Sequence, residues 1–169
     1  DAGYRAGRVE SVLADRGFGS GDVTDIFLTH GHGDHVAGLE RFPEARVLAL
    51  AAEAELVAEE SGVEITHPLT AGEVQMVGGF PVEVFSLPGH TPGNAVYLVD
   101  GVLLLGDSAF ATRDGALMST PANYSDDPEQ LDTSLRALAD ELAPRSSDVE
   151  WLVPSHTGAL EGIAALLDF

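Results

Sequence analysis

Thr29-His30-Gly31-His32-Gly33-Asp34-His35-Val36-Ala37-Gly38 places three histidines and an aspartate in six consecutive positions, directly after the apolar run Ile26-Phe27-Leu28. Imidazole and carboxylate are the side chains that a borderline cation such as zinc prefers. One lone histidine reads as an ordinary core or surface residue, but four such donors on a glycine-punctuated loop read as part of a metal site.

Further donors follow in the same kind of place. His90 lies in Leu87-Pro88-Gly89-His90-Thr91-Pro92-Gly93, a turn whose prolines and glycines fix the backbone. Asp107 follows the strand-like Val102-Leu103-Leu104-Leu105-Gly106, and His156 follows Trp151-Leu152-Val153-Pro154-Ser155. Each donor stands where an apolar strand ends and a turn begins, the usual position of binding groups on a rigid scaffold.

The ordered set His-x-His-x-Asp-His, Pro-Gly-His-Thr, a later Asp and a final His resembles the metallo-β-lactamase superfamily, and the likeness runs from Asp1 to about His156. It implies an α/β fold, the four-layer αβ/βα sandwich of that family. By the same resemblance His30, His32 and His90 would hold one divalent ion and Asp34, His35 and His156 a second, with Asp107 bridging them. Asp1-Ala2-Gly3 is similar to the family's Asp-x-Gly, whose carboxylate supports the histidine loop from behind its ligands. Several strands precede that motif in the family, so residues 1–169 are expected to form a single domain that lacks the first strands of its N-terminal half.

The implied cofactor is a pair of divalent ions, zinc first, with iron or manganese as the alternatives. Two such ions about 3.5–4 Å apart can share a water, lower its pKa towards neutrality and hold the resulting hydroxide as a nucleophile. Asp34 would orient that hydroxide or carry its proton. The resemblance thus implies a metal-dependent hydrolase acting on a small ester, thioester or lactone, close to the glyoxalase II-type thioester hydrolases. Those enzymes add a helical, basic C-terminal segment for glutathione, whereas thirteen residues follow His156 here and none is lysine. Two other classes stay open: a mononuclear iron-dependent sulfur dioxygenase and a non-catalytic metal-binding protein on the same fold. Tyr124, in the loop after Asp107, and Arg113 are candidate substrate contacts; His67, before Pro68, reads as a surface loop residue.

Composition narrows the partners. The absence of cysteine excludes disulfides and thiolate ligands. With 28 acidic against 8 basic residues, all arginine, the net charge of −20 repels phosphate backbones and anionic lipid, which argues against nucleic acid and membrane partners. A small-molecule substrate is expected, with a homodimer as one possible assembly and the cytoplasm as the expected location. The acidic, lysine-free balance fits adaptation to high salt, where screening relieves self-repulsion.

Periodicity predicts alternating α and β elements. Helices are expected over Tyr4–Phe18, Asp34–Phe42, Ala52–Glu60, a stretch opening at Asp127-Pro128-Glu129, and Gly158–Phe169. Leu131, Leu135, Leu138 and Leu142 form the core stripe of the fourth. Strands are expected over Thr24–Thr29, Arg46–Leu50, Glu73–Val77, Val82–Leu87, Ala95–Val99, Val102–Leu105 and Glu150–Val153, with Asp100-Gly101 as a hairpin turn.

Overall fold

The computed structural model describes residues 1–169, the side chain of Ala6 excepted. The chain forms two compact units, Asp1–Thr70 and Ala71–Phe169, each with its own core.

In the first unit, β1 (Asp25–Phe27), β2 (Arg46–Leu50) and β3 (His67–Leu69) make a parallel sheet in that order. Parallel neighbours need crossovers, supplied here by α2 (Gly33–Val36) between β1 and β2 and by α3 (Ala54–Ser61) between β2 and β3, while α1 (Ala6–Ala14) precedes β1. Ile26, Leu28, Val47, Ala49, Val36, Phe42 and Val57 are buried together. Gly62, at φ +71°, closes α3 in the left-handed region, as its position after a helical stretch predicts.

Two expectations fail in this unit. The helix expected over Asp34–Phe42 stops at Val36, followed by a single 3₁₀ turn at Leu39–Arg41. The His35 carbonyl accepts from Ala2 N–H (2.7 Å) and Gly3 N–H (3.0 Å), which diverts it from a helical ladder, while Gly38 N–H donates to Gly3 O (2.9 Å). Only glycine fits at position 38, because a Cβ there would overlap the Ala2 carbonyl. His67 is not a loop residue either; it opens β3, pairs with Leu48 and is half-buried.

The second unit is built on a six-stranded sheet of order β11-β10-β7-β6-β5-β4. The strands β4 (Val74–Val77), β5 (Phe80–Ser86), β6 (Ala95–Val99) and β7 (Val102–Gly106) form an antiparallel meander. Asp100 (φ 48°) and Gly101 (φ 78°) make the two-residue hairpin turn between the last two. Next comes a small hairpin, β8 (Ala109–Ala111) with β9 (Leu117–Ser119), and then α4 (Pro128–Leu142). β10 (Trp151–Pro154) returns parallel to β7.

The Asp127 side chain caps α4 by accepting from Gln130 N–H at 2.9 Å, with Pro128 at the first helical position. The stripe Leu131, Leu135, Leu138 and Leu142 is buried in one core with Leu87, Leu98, Leu103, Leu105 and Leu152.

The C-terminal helix expected over Gly158–Phe169 is the main error here. Leu160–Glu161 is instead a strand, β11, antiparallel to β10, and Gly162 N–H donates to Glu150 O at φ +70°. Only Ala164–Leu167 is helical, as α5. Gly158 and Gly162 weaken the helical preference that alanine and leucine give this stretch, and pairing to an open sheet edge outweighs what remains. Among the described residues, no helix is long and apolar enough to cross a membrane.

Candidate metal centre

The histidine loop leaves the end of β1, and the packing of α3 leaves little room for a side chain at Gly31, whereas at Gly33 only the flexible end of Glu60 would have to move. A Cβ at Gly31 would lie 2.9 Å from Leu56 Cγ and 3.0 Å from Val57 N, and one at Gly33 would lie 2.7 Å from Glu60 Oε2. Gly31 N–H also donates to Glu53 Oε2 at 2.7 Å, so a fully buried carboxylate ties the loop to the start of α3.

Asp1 organises the imidazoles. Its carboxylate accepts from Thr29 N–H (2.8 Å), and its Oδ2 lies 3.0 Å from both Thr29 Oγ1 and His35 Nδ1. An ionised carboxylate only accepts, so His35 Nδ1 carries the proton and donates. The Thr29 hydroxyl likewise gives its proton to Asp1, and its oxygen then accepts from His30 Nδ1, 3.1 Å away. These hydrogen bonds fix the Nδ1–H tautomer of both neutral rings, which leaves the lone pair on Nε2, the form a cation requires. The His30 ring centroid lies 4.0 Å from that of His35 and 4.8 Å from that of His32, with His30 and His35 buried. Asp34 is exposed, with Oδ2 3.6 Å from His35 Nε2.

The second unit carries the other three donors on strand-end turns. His90 sits between β5 and β6, in a turn clamped to the start of α4: Asp127 N–H donates to Gly89 O (2.8 Å), Asp126 N–H to His90 O (3.1 Å) and Ser134 Oγ to Pro88 O (2.9 Å). Asp107 follows β7 and its carbonyl accepts from Thr120 Oγ1. His156 follows β10, where the Phe110 ring meets its imidazole edge to face at 6.2 Å. One oxygen, Asp107 Oδ2, lies 3.1 Å from His156 Nε2 and 3.9 Å from His90 Nε2.

This donor set fits divalent cations. Two imidazole nitrogens approach a single oxygen of a buried carboxylate, and two further imidazoles have their Nδ1 atoms committed by a hydrogen-bond relay that ends on Asp1. All seven residues are of metal-ligating type, and no thiolate competes.

Arg113 lies in the exposed turn of the β8–β9 hairpin, and Tyr124 lies in a short 3₁₀ turn with its side chain exposed. The sequence reading missed Thr29 and Glu53. Thr29 had a usable signal, a hydroxyl residue directly before His30; Glu53 had none, because it is one of many acids on a helical stretch.

A family model described as the metallo-beta-lactamase superfamily matches residues 1–156. A hydroxyacylglutathione hydrolase from Synechococcus sp. is 37% identical over 134 residues, covering 72% of this chain and 48% of that protein. The metallo-beta-lactamase domain-containing protein 1 of Xenopus laevis is 32% identical over 150 residues, covering 85% of this chain and 58% of its own. The chain thus spans about half the length of such relatives. Among solved structures, a metallo-beta-lactamase from Pontibacter korlensis superposes with a TM-score of 0.75 at 18% identity, covering 100% of this chain and 81% of that one. The donor order, the α/β fold and these matches agree: the chain belongs to the metallo-beta-lactamase superfamily.

Proposed function

We propose that this chain is the catalytic core of a metal-dependent hydrolase that cleaves a small ester, thioester or lactone. The observation that carries the reading is the approach of His90 and His156 Nε2 to one Asp107 oxygen. In this assignment His30, His32 and His90 hold one ion and Asp34, His35 and His156 hold the other, with Asp107 shared; both sets consist of donors able to hold a metal. Two divalent ions held there, zinc first, would supply Lewis acidity and make a water nucleophilic at neutral pH.

The protein's own groups then set direction and proton flow. Asp1 and Thr29 keep the Nδ1 protons of His35 and His30 in place, so neither ring turns away from its ion. Asp34, solvent-facing beside His35, is the residue placed to take a proton from the attacking water and return it to the leaving group. Tyr124 and Arg113, both exposed, are assigned to substrate contact. The hydroxyacylglutathione hydrolases among the relatives support thioesters within this class.

The test uses the full chain with an aryl ester, a thioester and a lactone, before and after chelation and zinc replacement. Hydrolysis of at least one, abolished by chelator and restored by zinc, is expected. Hydrolysis unaffected by chelation, or oxygen consumption with a persulfide in the presence of iron, would overturn the reading.

We further propose that the charge of −20 is an adaptation to high salt. At 0.01 M salt the Debye length is roughly 30 Å, so the acids repel across the molecule; at molar salt it is roughly 3 Å. The melting temperature should rise by several degrees between these conditions. A midpoint independent of salt would contradict this.

A further inference from the structure

Asn94 has no role in the donor set, yet it is fully buried between two of its turns. Its Nδ2 donates to Leu87 O at 2.9 Å and to Ser108 Oγ at 2.8 Å. Leu87 opens the turn that carries His90, and Ser108 directly follows Asp107. The backbone completes the link, since Leu87 N–H donates to Asn94 O (2.8 Å) and Thr120 N–H to Ser108 O (3.4 Å). One side-chain amide therefore spans the two ligand-bearing turns.

Its other half makes no such bond. Asn94 Oδ1 is buried and has no hydrogen-bond partner among the described residues. A buried carbonyl without a partner is costly, so stability alone is a poor reason for an asparagine at this position. What the amide supplies is two N–H donors in a fixed plane, one for each turn.

We propose that Asn94 is a positioning residue that sets the spacing of the His90 turn and the Asp107 turn, and through it the strength and symmetry of metal binding. The inference rests on the metal reading given above. Without the amide, Asp107 keeps its carbonyl contact to Thr120 but loses the cross-turn tie through Ser108. Residues that orient ligands in this way commonly change metal affinity about 10–100-fold when removed.

Cobalt(II) serves as the probe, read in the full chain by titration and by its visible absorption, beside the thermal midpoint. The parent should bind cobalt with a ligand-field band. Asn94→Ala should weaken cobalt binding about 10–100-fold and alter that band. Ser108→Ala should shift both in the same direction, and the double variant should add little to Asn94→Ala, because the two residues share one contact. A lowered midpoint with affinity and band unchanged would reduce Asn94 to a structural residue and overturn the proposal. If Asn94→Ala does not fold, Ser108→Ala decides, and parent-like affinity and band in it would overturn the proposal. A parent that binds no cobalt would instead refute the metal reading itself, before any variant is compared.

Discussion

Asp107→Ala should lower the bound metal from two ions per chain to one or fewer and reduce hydrolysis by at least about 10²-fold, the scale of losing one preorganised electrostatic group. The carboxylate is buried, and one of its oxygens is approached by His90 and His156 together. The variant also separates ligand loss from damage to the fold. A ligand that binds only the folded chain stabilises it by roughly 2.7 kcal/mol at a hundredfold excess over its Kd. Saturating zinc should therefore raise the melting temperature of the parent by several degrees, and much less in Asp107→Ala. An equal zinc-induced rise in both, with activity retained, would remove Asp107 from the site.

Gly89→Ala should be the most damaging single-methyl change in the second unit. Gly89 has φ +131°, and an added Cβ would overlap the backbone of Leu131 in α4. Neither partner can yield, because Leu131 is fully buried in the core and its N–H bonds back to the Asp127 carbonyl. Backbone strain and overpacking each cost about 1–3 kcal/mol, so a loss on the order of 4 kcal/mol is expected. Gly78→Ala is the control: φ is +58°, nothing lies within 4 Å of the added carbon, and the loss should be about 1 kcal/mol. Denaturant midpoints measure both. Equal, small losses would show that the turn and helix separate easily, and that the His90 turn is not held as rigidly as described.

Much of the site was legible because its chemistry is concentrated in short segments. The loop from Thr29 to Gly38 and the turn from Leu87 to Gly93 combine rare side chains with glycine and proline, and the structure puts them at strand ends as their flanking apolar runs indicate. The α4 stripe was legible for the same local reason, since a period of 3.6 over four leucines leaves one face to bury. What escaped depends on partners distant in sequence. The helix after the histidine loop is cut short by Ala2 and Gly3, some thirty residues away, and β11 is a strand only because β10 offers it an edge. His67 joins β3 through Leu48. Glu53 and Asn94 escaped for a different reason: each is an ordinary residue type whose significance lies in the backbone groups it reaches, Gly31 in one case and Leu87 in the other.

Metal stoichiometry tests the ligand assignment most directly. Elemental analysis of the full chain, saturated with zinc and freed of loosely held ion, should give about two divalent ions per chain, both removable by a strong chelator. One tightly held iron would favour the mononuclear alternative, and no bound metal at all would contradict the assignment of His30, His32, Asp34, His35, His90, Asp107 and His156 as ligands.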